Sequence, residues 1–220
     1  MKLAKQRVLT LFLVTITCLC DAAPASKTQQ LTSTDQVPEG LAKSDWSSIC
    51  AIYEAGRHAF QPIEGGREAR NSGQQWTTKF DGRGFVALPK GGGWQWGLEL
   101  KCYGFPGAEQ EIKDVSAVQA EGKRLTYSWD AVVSEWFVND TSGLEHGFTV
   151  KERPAKAGTL NPQPSTLNFT LAVRGSLATG VTADGQGTVF CDDSGATVLT
   201  YSGLKVWDAD GKILIPFRNA

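Results

Sequence analysis

His58 and His146 are the only histidines in this 220-residue chain, so any imidazole chemistry must use one of them. His146 follows Glu145 and a turn that begins at Asp140, a grouping that could serve as a general base with an orienting carboxylate. Adjacent residues in a strand point to opposite faces, however, so Glu145 is badly placed to orient His146. Glu99, Asp130, Glu135 and Glu145 lie near tryptophans, and a pair of such carboxylates could cleave a glycosidic bond. Asp184, Asp192, Asp193, Asp208 and Asp210 supply the hard oxygen ligands calcium prefers. Asp208-Ala209-Asp210-Gly211 begins like an EF-type loop but lacks the later acidic ligands. Asp and Gly are also what tight turns require for backbone reasons, and that is the default reading of all five aspartates. His146 likewise defaults to a hydrogen-bonded structural histidine. Trp207 and Tyr103 are the better-placed aromatic platforms for a sugar; Trp94 and Trp96 share their strand face with leucines, which marks core. The chain has no Gly-x-Ser-x-Gly elbow, no Cys-x-x-Cys and no Lys-Ser/Thr pair after Gly91-Gly92-Gly93. The reading assigns no catalytic residue, no cofactor and no metal, with Asp208 and Asp210 the nearest approach to a calcium pair and Trp207, Tyr103 and His146 the nearest to ligand contacts.

The elements that must position these residues are strands. In residues 94–102, Trp94, Trp96, Leu98, Leu100 and Cys102 alternate with Gln95, Gly97, Glu99 and Lys101, the period-two signature of a half-buried strand. Leu167, Phe169, Leu171 and Val173 repeat the pattern. Glu121-Gly122 marks a hairpin between residues 115–120 and 125–129, and Asp140-Thr141-Ser142-Gly143 a turn between 136–139 and 144–151. Short strands with a turn every 8–12 residues and no strand–helix alternation predict an all-β, antiparallel sandwich-like module. One short N-terminal helix is expected over 45–57, capped by Ser44 and Asp45, because Trp46, Ile49, Cys50 and Tyr53 recur at helical spacing. Its apolar stripe is expected to cover one end or edge of a sheet.

Lys2, Lys5 and Arg7 precede a mostly apolar stretch over 8–19, too short for a stable membrane anchor. Residues 1–25 therefore read as a signal peptide, cleaved between Ala22 and Ala25, and residues 26–43 as a flexible polar leader before one domain over 44–220. Removing residues 1–22 takes away three cations and one anion, which moves the net charge from −1 to −3. That balance is not a nucleic-acid footprint, and no later stretch is apolar enough to span a membrane. Cys50, Cys102 and Cys191 remain, an odd number, with Cys102 expected as a buried thiol.

Six blocks share a further likeness. They are Tyr53-Glu54-Ala55-Gly56-Arg57-His58-Ala59-Phe60, Asn71-Ser72-Gly73-Gln74-Gln75-Trp76, Phe80-Asp81-Gly82-Arg83-Gly84-Phe85, Trp96-Gly97-Leu98-Glu99-Leu100 with Tyr103-Gly104-Phe105, Glu135-Trp136-Phe137-Val138-Asn139-Asp140, and Gly143-Leu144-Glu145-His146-Gly147-Phe148-Thr149-Val150. Over residues 45–217 they resemble the N-terminal module of bacterial secreted proteins that carry FG-GAP, integrin-α-like β-propeller repeats. The resemblance implies a secreted or cell-surface, non-enzymatic structural or interaction module whose partner is an extracellular protein or glycan. In such proteins a propeller with calcium-binding aspartate loops follows; these 220 residues contain none, so a propeller's adhesive role is not carried over. The alternative expectation is a carbohydrate-binding module or carbohydrate-active enzyme on the same sandwich.

Overall fold

A computed structural model describes residues 9–17, 37–154 and 166–214. Among these residues two antiparallel sheets face each other, the all-β sandwich that the alternating patterns predict. The larger sheet has the order β13 (Ala178–Val181), β14 (Thr188–Cys191), β15 (Thr197–Trp207), β1 (Leu9–Thr17), β11 (Gly143–Val150), β10 (Val133–Asp140), β9 (Arg124–Ser128), β8 (Ala117–Glu121), with β16 (Ile213–Leu214) on β15. The smaller runs β12 (Asn168–Gly175), β6 (Trp96–Gly104), β5 (Phe85–Pro89), β4 (Trp76–Phe80), β3 (Gly66–Asn71), β2 (Gln61–Ile63), with β7 (Gln110–Glu111) on β6.

Aromatic rings join the two sheets. Phe137 of β10 lies 4.9 Å from Phe80 and 5.6 Å from Phe85 on the opposite sheet, both edge-on. Trp96 meets Phe190 at 5.0 Å, and Phe148 stacks on Phe169 at 4.3 Å. Phe85, Trp96, Leu125 and Phe137 are fully sealed from water. Fully burying one such side chain stabilises the fold by about 1.5–3 kcal/mol, so this shared layer supplies much of the driving force. Gly97 lets β5 and β6 come close: a Cβ there would sit 1.8 Å from the Phe85 carbonyl oxygen.

Both predicted hairpins are present. Glu121 pairs with Arg124 across Gly122-Lys123, and Asp140 with Gly143 across Thr141-Ser142. The alternation in β6 breaks midway. Leu171 pairs with Leu100 but Thr170 with Cys102, so Lys101 is the extra residue of a bulge. The phase flips after it: Tyr103 is buried and Cys102 is only half-buried. Trp94 stands before the strand, in the loop, edge-on to Trp76 at 6.1 Å. In β12, at the sheet edge, Phe169 and Leu171 pack on the core while Val173 is exposed. Cys50, Cys102 and Cys191 are free thiols.

The helix α1 (Lys43–Arg57) starts two residues earlier than predicted. Ala42 is its N-cap and makes no side-chain cap; Ser44 and Asp45 fall inside the first turn, where the Asp45 carboxylate suits the positive end of the helix dipole. Its apolar stripe does not cover a sheet edge. Ile49, Ile52 and Tyr53 are exposed, and Trp46 and Cys50 half-buried. Contact is made at the C-terminal end, where Arg57 donates to Ser72 Oγ at 2.6 Å. No helix among the described residues is long and apolar enough to cross a membrane. Of the expected targeting segment, residues 1–8 and 18–25 lie outside the described residues; 9–17 form β1. Leader residues 26–36 lie outside them as well.

Candidate functional site

The inward face of β10 reads Val133, Glu135, Phe137, Asn139, placing one acidic residue in an apolar row. In the β10–β11 register Phe137 faces His146 and Glu135 faces Phe148, so Glu135 and His146 are diagonal neighbours on one face. Glu135 Oε1 accepts from His146 Nε2 at 2.6 Å, and Oε2 accepts from the Trp129 indole N–H at 2.9 Å. The Tyr201 hydroxyl, from β15, reaches His146 Nδ1 at 3.0 Å. A carboxylate can only accept, so His146 Nε2 is the donor to Glu135. The four groups form a closed chain from indole through carboxylate and imidazole to phenol. Both side chains of the central pair are sealed, at 0% and 1% exposure for His146 and Glu135. Phe137 stacks on the imidazole at 4.8 Å, and Phe85 and Phe148 wall its edges. Burial, with the Glu135 charge second, pushes the Tyr201 phenol upward.

His146 is therefore not a surface ligand contact, and its partner is Glu135 rather than Glu145 or Asp140. Glu145 points to the other face, where burial and then Asp140 push its carboxyl up. Asp140 accepts the Ser142 N–H at 2.9 Å and the Lys123 ammonium at 3.1 Å. The carboxylates near tryptophans do not converge. Glu99 holds Lys101 on the opposite face of β6, and Asp130 accepts the N–H groups of Val132 and Val133, each at 2.7 Å, and the Tyr103 hydroxyl at 2.6 Å. Tyr103 is thus a buried strut and not a platform; burial and then Asp130 push its phenol up. Trp207 is half-buried at the end of β15, paired with Ile213.

The aspartate turns use their own carboxylates. Asp208 Oδ1 accepts the N–H groups of Asp210 and Lys212, each at 3.0 Å. Asp192 Oδ1 accepts those of Ser194 at 2.9 Å and Ala196 at 3.1 Å. Gly195 and Gly211 close the two turns with φ of +82° and +77°. Among the described residues no three His, Cys, Asp or Glu side chains gather to hold a metal. Asp208 and Asp210 are turn formers here.

A second buried polar group joins the sheets elsewhere. Asn71 Nδ2 donates to Asn139 Oδ1 and to the Asp140 carbonyl, each at 2.8 Å. Asn139 Nδ2 donates to the carbonyls of His58 at 3.1 Å and Arg70 at 3.0 Å. This clamp ties the end of α1, β3 and the β10–β11 hairpin together. The signal for it was present in the row Val133-Glu135-Phe137-Asn139, where two polar residues occupy apolar positions.

An open hollow of about 390 Å³ is lined by Gln74, Gln75, Lys90, Trp94 and Val198. Gln75 is in the left-handed region at φ +55°, and its carbonyl accepts the Lys90 N–H at 2.8 Å. Neither Glu135 nor His146 reaches it. Comparison with protein-family models, curated proteins and solved structures returns no match to this chain.

Proposed function

We propose that this protein is an exported, non-enzymatic structural or interaction module of the secreted FG-GAP type, acting at the cell surface or outside the cell through its loops and sheet faces. The observation that carries this reading is the sealing of the His146–Glu135 pair: a general base must touch its substrate, and this one is walled by rings and saturated by Trp129 and Tyr201. Diethyl pyrocarbonate with mass spectrometry tests it. His146 is expected to resist modification in the native chain and to react only under denaturing conditions. Native reactivity at His146 would mean that an open site exists and would return the enzyme reading.

A second reading, glycan binding, draws on the hollow at Trp94, which Gln74, Gln75 and Lys90 also line. A single aromatic face with hydrogen-bonding side chains suits a terminal sugar. A glycan array run with the wild type and Trp94→Ala decides between a bound sugar that the substitution abolishes and no binding by either.

A further inference from the structure

The large sheet is continuous only because β1 lies between β11 and β15, antiparallel to both. Leu9 pairs with Val150 and Thr15 with Glu145 on one side; Leu11 pairs with Val206 and Thr17 with Thr200 on the other. The two neighbours are also joined beneath β1. Tyr201 of β15 reaches His146 of β11 at 3.0 Å, their ring centroids 6.1 Å apart, and Trp96 of the opposite sheet packs on Phe190 and on Tyr201. Leu144, Phe148 and Val150 on one strand, and Leu199 and Val206 on the other, are buried in the same core. These contacts hold β11 and β15 two strand-widths apart, roughly 9–10 Å. Direct pairing would halve that distance and drive the His146 and Tyr201 rings together. Loss of β1 therefore leaves a slot bordered by two rows of unpaired N–H and C=O groups.

We propose that the slot between β11 and β15 is a strand-acceptor site. In the processed protein it takes an apolar, extended segment of about nine residues from a partner chain, antiparallel to both borders. The proposal rests on the reading above that the first 22–25 residues are removed on export. The chemistry of the guest is that of β1: Leu9-Thr10-Leu11-Phe12-Leu13-Val14-Thr15-Ile16-Thr17 has no charge, no proline and no glycine, and is rich in β-branched residues. Residues 26–36, the nearest alternative in this chain, contain Lys27, Asp35 and one leucine among polar residues, which fits a slot over an aromatic core poorly.

The test starts from the full chain, made without export and carrying a protease site inserted within residues 26–36. After cutting, a fluorescein-labelled synthetic peptide of residues 7–19 is added, and bound label, thermal midpoint and amide exchange are followed. The expected result is one-to-one replacement of β1 by the peptide. Washing out both segments should lower the midpoint and expose the β11 and β15 amides, and the peptide carrying Leu11→Pro and Val14→Pro should not bind. If the remainder keeps its midpoint and its β11 and β15 amides stay protected with no peptide present, the slot closes on itself and the proposal is overturned. Dimerisation on cutting would make the guest a second copy and would overturn the foreign-strand assignment. N-terminal sequencing of exported protein checks the processing reading separately: retention of Met1 ends that reading and leaves the peptide result intact.

Discussion

Glu135 and Asp208 are both carboxylates that accept two hydrogen bonds, but at opposite ends of a scale of reach. Glu135 is bonded to Trp129 and to His146, and through the imidazole to Tyr201 on another strand. Asp208 is bonded to the N–H groups of Asp210 and Lys212, within its own turn. The buried group couples distant parts of the chain, whereas the turn group shapes five residues beside solvent. Residue type alone does not separate these two uses; the hydrophobic row around Glu135 does.

The sharpest way to break the comparison is at the centre of the buried chain. His146→Leu leaves the Glu135 charge in a dry core with only the indole N–H, and should lower unfolding free energy by about 3–5 kcal/mol in urea titration. A loss below about 1 kcal/mol would show that water reaches Glu135. Next comes the amide clamp. Asn139→Ala removes two donated bonds and one of the two acceptors of the Asn71 amide, whose bond to the Asp140 carbonyl remains, with an expected loss of about 1–3 kcal/mol by the same measurement.

A surface ion pair gives an intermediate case. Asp81 accepts two bonds from the Arg174 guanidinium, at 3.1 and 2.7 Å. Burial pushes the Asp81 carboxyl up, but Arg174 and the Arg83 N–H outweigh it and hold the carboxyl well below the ordinary range. A depressed folded-state pKa stabilises above the unfolded value near 4 and is lost as pH falls below it. Solvent screening limits the gain to under about 1 kcal/mol. The gap between the thermal midpoints of wild type and Asp81→Asn should therefore narrow steadily from pH 4 to pH 2 without closing, and the gap at pH 6 should shrink in high salt. The smallest effect is expected at Asp208→Ala, about 0.5–1 kcal/mol, with millimolar calcium leaving the wild-type midpoint unchanged. A calcium-dependent rise lost in Asp208→Ala would restore a metal role to that turn.

The periodicity of β6 and the two-residue turns at Gly122-Lys123 and Thr141-Ser142 were legible because strands and tight turns are encoded locally. The bulge at Lys101 was not, since an extra residue shows only against the partner strand, and β12 is some 70 residues away in sequence. The helix stripe misled for a related reason: periodicity reports a face that could be buried, not whether anything lies against it. Glu135 appeared among the acidic residues but not as the partner of His146, because diagonal pairing depends on register. Tyr201 gave no local signal at all.

Trp129 offers a gauge that needs no label. Its indole proton is held by a sealed carboxylate between the two sheets. Such a proton trades with deuterium only when the layers separate, not when loops fray. The indole resonance should therefore fade at the rate of whole-molecule opening, a direct clock for the slowest breathing of this sandwich.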